Sequence, residues 1–219
     1  MKPDLDRAAV KAAETLIKHR VSFAPVDPLP ILKSTPGALA MSFAELAART
    51  GSERDALAHM FGGPIQDAVT VCMDVGGRMR YIVAYNQRIS WCLLQRALAR
   101  ELGHIVLGHD GSRPDDVRAA EAQAFAYHLL CPRPIIRAAL ASPVRVSLEV
   151  LGSMTGCYSK CLAGMRELPG ARVPAELNRL IRDQFADYMA SFLEIQALLS
   201  PSDSSETADF GSYMDNYEE

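Results

Sequence analysis

Residues 95–109 read QRALARELGHIVLGH, and the kind of fold this chain has turns on them. Leu94, Leu98, Leu102 and Ile105 recur at three- and four-residue spacing, which predicts a helix with one apolar stripe. Roughly opposite Leu102 lie Arg100, Glu101 and His104. A metal-binding helix of the form H-E-x-x-H sets two imidazoles one turn apart on one face, with a glutamate beside them as general base. Here Glu101 and His104 keep their places, and Arg100 stands where the first His would be. A guanidinium has no lone pair to give a metal.

Upstream of this helix, Asp67 to Val75 and Met79 to Tyr85 are β-rich runs joined by Gly76-Gly77-Arg78, a hairpin signal. Asn86-Gln87-Arg88 turns the chain, and Ser90 is placed to cap the helix. Gly108-His109-Asp110-Gly111 ends it. A second helix begins near Ser112 or Pro114, runs through VRAAEAQAFAYHLL and stops before Pro132. Its apolar stripe is Val117, Ala124, Phe125 and Leu129. Glu121 falls inside that stripe, and His128, seven residues on, shares the face. A carboxylate facing a core needs a cation, a metal, several donors or a proton of its own.

Nearer the N-terminus, Asp4 to Arg20 reads as an amphipathic helix, and Asp27 caps a short one, DPLPILKS. Ala38 to Ser42 is a short strand. Two short helical patterns within Ser42 to Phe61 flank Thr50-Gly51, the layout of a helix-turn-helix. Its second half, SERDALAHMF, holds one Arg against two acids, whereas phosphate contacts need net positive charge. The charge argues against DNA binding. Beyond Pro132 the expected helices are Ile135 to Leu140, Val146 to Met154, Tyr158 to Leu168 and one long helix from Pro174 to Leu199. That last helix is long enough to pack on the body or on a second copy.

A hydrophobic fraction of 49% over 219 residues supports one or two ordinary globular domains. No apolar run reaches membrane-spanning length, and the N-terminus lacks the apolar core of a secretory signal. Five cysteines follow no disulfide-framework spacing, and Cys157 and Cys161 have no second ligand pair. These features predict a cytoplasmic protein with reduced thiols. Pro201 to Glu219 carries six acids and no Lys or Arg, so it reads as a disordered acidic tail. Without it the net charge of −3 turns mildly positive.

Tyr85 to Pro132 resembles the ImmA/IrrE family of zinc-dependent metallopeptidases. The matching residues are Tyr85-Asn86, Arg96 with Ala99, Glu101-Leu102-Gly103-His104 and Leu107-Gly108-His109, then Glu121-Ala122-Gln123-Ala124-Phe125-Ala126, Leu129-Leu130 and Pro132. VSFAPVDPLPILK looks like the family's N-terminal segment, and TGCYSKCLAGMREL like the segment that closes its core. The likeness covers residues 5 to 168 and implies an α+β fold. That fold is a mostly helical zincin-like metallopeptidase core with a small antiparallel β-sheet, here followed by a C-terminal helix. The implied layout is a metallopeptidase-fold domain over 1–168, a helical extension over 169–200 and the tail over 201–219.

Carried over position by position, Glu101 takes the general-base place, His104 a zinc-ligand place and Glu121 an acidic position near the metal. Arg100 replaces the first His ligand, Ala119 stands where the family often has another Glu, and Gln123 replaces Asn. The third ligand of relatives corresponds either to Glu121 or to Ala119. A catalytic zinc normally takes three protein ligands and keeps one open position, and His104 with Glu121 supplies two. His128 and His109 are the candidate substitutes, and His128, which shares a face with Glu121, is the better one. His109, five residues from His104 and about 140° away around a continuing helix, is the weaker one and more readily packs or caps. Alternatively, Arg100 occupies the vacated metal position as a fixed cation paired with Glu121 and also with Glu101, although adjacent residues do not pair across a helix.

Two functions follow as expectations. One is a degenerate peptidase-fold regulator, from a mobile-element or stress-response setting, that binds a protein or peptide partner such as a transcriptional regulator without cutting it. The other is an active zinc-dependent endopeptidase, with an altered metal site, that cleaves a repressor-type regulator.

Overall fold

The computed structural model describes residues 1–53, 67–110, 112–144, 146–156 and 171–199. The expected second half of the helix-turn-helix, the Cys157/Cys161 pair, the helix at Tyr158 to Leu168 and the acidic tail lie outside the described residues. Within them the chain is mixed α/β and mostly helical, with one three-stranded sheet. It divides into two compact units, one of residues 1–3 and 27–126, the other of residues 4–26 and 127 onward.

In the first unit the sheet is built from β1 (Ala38–Ser42), β2 (Ala68–Asp74) and β3 (Met79–Tyr85), in the order β1-β3-β2. β2 and β3 form the expected hairpin, pairing Ala68 with Tyr85 and Asp74 with Met79. Gly76 and Gly77 turn it with φ of 62° and 76°, a conformation costly for other residues. β1, however, lies parallel to β3, so the sheet is mixed rather than antiparallel. The reason is connectivity: β1 does not continue directly into its neighbour β3 but is separated from it by α3 (Phe43–Thr50) and the hairpin's first strand. Ser42 starts α3 with a full capping box, its hydroxyl accepting from the Glu45 amide while Glu45 accepts from the Ser42 amide. Met41, Phe43, Leu46 and Ala84 form a small core there.

The central helix, α4 (Trp91–Val106), packs on β2 and β3 and on α2 (Pro28–Ser34). It buries Leu98, Ala99, Leu102 and Gly103. Ser90 occupies the position before its first turn without a side-chain capping bond, unlike Asp27, which accepts from the Leu29 amide at the start of α2. The second motif helix, α5 (Asp115–Leu130), meets α4 at Gly103. A Cβ there would lie 3.0 Å from Phe125 Cδ1 and 3.2 Å from the Ala122 carbonyl oxygen. The glycine sets how closely the two helices approach. Gly103→Val is expected to cost about 2–3 kcal/mol through overpacking. Gly103→Ala costs less, because alanine regains about 1 kcal/mol of helix propensity; melting curves of the two variants check this order.

The second unit is helical. α1 (Leu5–Lys18) is capped by Asp4, which accepts from the Arg7 amide. α6 (Arg133–Leu140) and α7 (Leu148–Thr155) follow the end of α5. The long C-terminal helix expected from the sequence is two helices, α8 (Ala175–Gln184) and α9 (Ala186–Leu199). They divide at Phe185, which is fully buried. The Gln184 amide beside it donates to the carbonyls of Leu16 and Val21, which fixes the break against the C-terminal end of α1. α8 packs on α1 and α6, and α9 on α6. Ile195, Leu198 and Leu199 stay exposed at the end of α9. No helix among the described residues is long and apolar enough to cross a membrane.

Candidate functional site

The site grows from the way α4 ends. Leu107 is the last near-helical residue, and Gly108 follows with φ of 66°. The Gly108 amide donates to the Ile105 carbonyl and the His109 amide to the His104 carbonyl, at 3.1 and 3.0 Å. These are the paired bonds of a Schellman motif, which reverses the chain over the last helical turn. His109 is therefore not 140° away from His104. Its ring folds back so that the two Nδ1 atoms are 2.9 Å apart. On its other side, His109 Nε2 lies 3.0 Å from Glu121 Oε2.

Glu121 is wholly buried, with 0% of its surface exposed. Arg113, from the loop before α5, places Nη1 at 2.8 and 3.1 Å from its two oxygens. Arg118 holds that loop, its Nε donating to the Arg113 carbonyl while its Nη2 pairs with Asp115. A cation facing this core carboxylate is thus Arg113, which the motif did not single out. Arg100 turns to its sequence neighbour: its Nε and Nη2 lie 3.2 and 3.0 Å from Glu101 Oε1. The expectation that adjacent residues do not pair is corrected here. The long Arg100 side chain bends back along the helix surface, so its guanidinium reaches the carboxylate without any need for the two residues to share a helical face.

Arg100, Glu101, His104, His109 and Arg118 line one cavity of about 530 Å³, together with Ala68, Val69, Thr70 and Cys72 of β2. Burial raises the Glu101 pKa above the ordinary carboxylate range, opposed by Arg100 and by Thr70 beside it. His104 is pushed down to about 4, first by burial and then by His109, Arg100 and Arg118. Burial also lowers His109, against the pull of Glu121. Both imidazoles are neutral at neutral pH. His128, the better candidate substitute ligand, belongs to the other unit, where burial and then Arg133 lower its pKa to about 3, against Asp6. Seven residues of helix, about 10 Å of rise, separate it from Glu121.

The resemblance implies zinc, and the donor atoms test it. Both oxygens of Glu121 accept from Arg113, both nitrogens of His109 are engaged, and Glu101 Oε1 faces Arg100. Among the described residues, His104 Nε2 is the imidazole nitrogen of this group with no hydrogen-bond partner. Among the described residues no three His, Cys, Asp or Glu side chains converge as a metal-holding group. So arranged, the residues do not fit a three-ligand zinc.

Motif reasoning took His109 for a residue that packs or caps and did not single out Arg113. The first carried a readable signal, since a Gly at the C-terminal end of a helix implies that the next amide returns to the last turn. Arg113 carried none, because only the loop path aims it. The chain matches no protein-family model, no curated protein and no solved structure against which it was compared.

Proposed function

We propose that this chain is a metallopeptidase-like protein of the ImmA/IrrE type, with a zincin-like core. In it guanidinium–carboxylate pairs replace the metal centre. It works as a regulator that binds a protein or peptide segment, such as part of a transcriptional regulator, rather than as a hydrolase. The observation that carries this reading is Arg113 on both oxygens of the buried Glu121. A fixed cation there does for the carboxylate what a dication would otherwise do. Arg100 does the same for Glu101.

The cavity supports the binding part of the reading. One wall is β2, an outer strand of the described sheet that bonds to β3 along one edge. An extended segment can add to the other edge through the main-chain groups that are not already taken by Arg100, at the Ala68 carbonyl, and by Glu101, at Thr70, while its side chains enter the cavity. The kind of partner is drawn by analogy with the family alone.

Metal content after purification without chelator tests the proposal. The unmodified protein is expected to hold no stoichiometric zinc, and so is Arg100→His, because Arg113 still holds Glu121. Combining Arg100→His with Arg113→Gln restores a second imidazole and frees the carboxylate, and is expected to bring zinc to about one per chain. Stoichiometric zinc with peptidase activity in the unmodified protein would favour the endopeptidase instead. Zinc uptake by Arg100→His alone would refute the part given to Arg113. A double variant that stays zinc-free would refute Glu121 as the third ligand position.

A further inference from the structure

Three side chains beside the cavity are linked in a line: Glu121 Oε2 to His109 Nε2 at 3.0 Å, and His109 Nδ1 to His104 Nδ1 at 2.9 Å. A hydrogen bond between two imidazole nitrogens needs one N–H and one lone pair. The direction of the line therefore fixes both tautomers, and one end of it is decided. Arg113 donates to both Glu121 oxygens, which favours the ionised carboxylate, an acceptor only. The proton shared with His109 then sits on His109 Nε2. A neutral His109 has its lone pair at Nδ1, so the proton between the rings sits on His104 Nδ1. His104 Nε2 is left as a bare lone pair on a residue that lines the cavity.

We propose that Glu121, acting through His109, holds His104 in the Nδ1–H tautomer, the less populated one for a free histidine side chain in water. Its Nε2 is thereby dedicated to accepting a hydrogen bond from a bound amide. His109 is a positioning residue in this scheme: it sets which nitrogen of His104 is free, as carboxylates set the tautomer of ligand histidines elsewhere. The ligand class follows from the neighbours. The guanidinia of Arg100 and Arg118 line the same cavity and donate only. A group that gives an N–H to His104 and offers a carbonyl to a guanidinium satisfies both kinds of wall, and a peptide bond is such a group. The choice of ligand rests on the peptide-binding reading above, whereas the tautomer stands on the two contacts of His109 together with its neutral state, which burial favours against the pull of Glu121.

The test reads the protons directly. Two-bond proton–nitrogen correlation spectra of the full chain, labelled with 15N-histidine, distinguish the two tautomers at neutral pH. In the unmodified protein His104 is expected as Nδ1–H and His109 as Nε2–H. Glu121→Gln keeps the shape of the side chain but can turn an amide N–H toward His109, and is expected to reverse the line and move the His104 proton to Nε2. His109→Phe removes the acceptor and is expected to return His104 to the Nε2–H form favoured by a free histidine side chain. This second variant keeps the test available should the first not fold. Finding Nε2–H on His104 in the unmodified protein, or Nδ1–H in either variant, overturns the proposal. The peptide assignment is read separately by adding a short capped peptide to the unmodified protein. A shift of the His104 Nε2 resonance supports it, and a spectrum unchanged at saturating peptide overturns the ligand class while leaving the tautomer result intact.

Discussion

Taking the protein from pH 7 to pH 5 is expected to cost the fold about 2 kcal/mol through His128 alone. This imidazole is buried, and its pKa falls to about 3 through burial first and Arg133 second, with Asp6 in opposition. The unfolded chain takes up a proton on His128 as the pH drops through 6.5, while the folded chain does not until about 3. The unfolded state therefore binds more protons across that window, and stability falls as the pH falls, by about 1.4 kcal/mol per unit. His104, lowered to about 4, and His109 act with the same sign. Glu101 acts against them: with a raised pKa it protonates in the folded state first, so its contribution is present at acid pH and lost as the pH rises. Urea unfolding of His128→Leu at the two pH values isolates the one group. The variant should lose about 2 kcal/mol less than the unmodified protein on acidification, and equal losses in both would remove His128 as the cause.

Arg113→Ala is expected to destabilise the protein by about 3 kcal/mol. The figure is the low end for breaking a buried ion pair, because the Arg113 side chain is 35% exposed while Glu121 is not exposed at all. The loss is mostly the burden of an uncompensated carboxylate inside the fold, so it should depend on Glu121. With Glu121→Gln already in place, Arg113→Ala should cost much less. A double-mutant cycle measures that coupling, and simple additivity would show that Arg113 acts through something other than the carboxylate. Arg88→Ala, at an exposed turn residue, is the matched control and should stay within about 0.5 kcal/mol of the unmodified protein.

Much of the fold was legible because its signals are local. Asp4 and Asp27 cap the helices they precede, the Gly76-Gly77 turn joins the hairpin, and Pro132 closes the second motif helix, each through chemistry confined to a few neighbouring residues. The burial of Glu121 was also readable, since three- and four-residue spacing places it among Val117, Ala124 and Phe125 whatever the rest of the chain does. The break at Phe185 and the parallel pairing of β1 with β3 were not. The first depends on where the Gln184 amide finds carbonyls on a helix more than 160 residues away in sequence, and the second on which strand fills the middle of the sheet.

The candidate site divides in the same way. Residue spacing alone places a glutamate and a histidine one turn apart on the central helix, an arginine before them, and a second carboxylate in a core. Helical geometry dictates all of that. Which cation meets which carboxylate follows from the folded chain. Arg100 bends back to Glu101, Arg113 comes in from a loop to Glu121, and His109 folds over the helix end onto His104. Those pairings depend on loop paths and on the direction of long side chains, which no period in the sequence encodes.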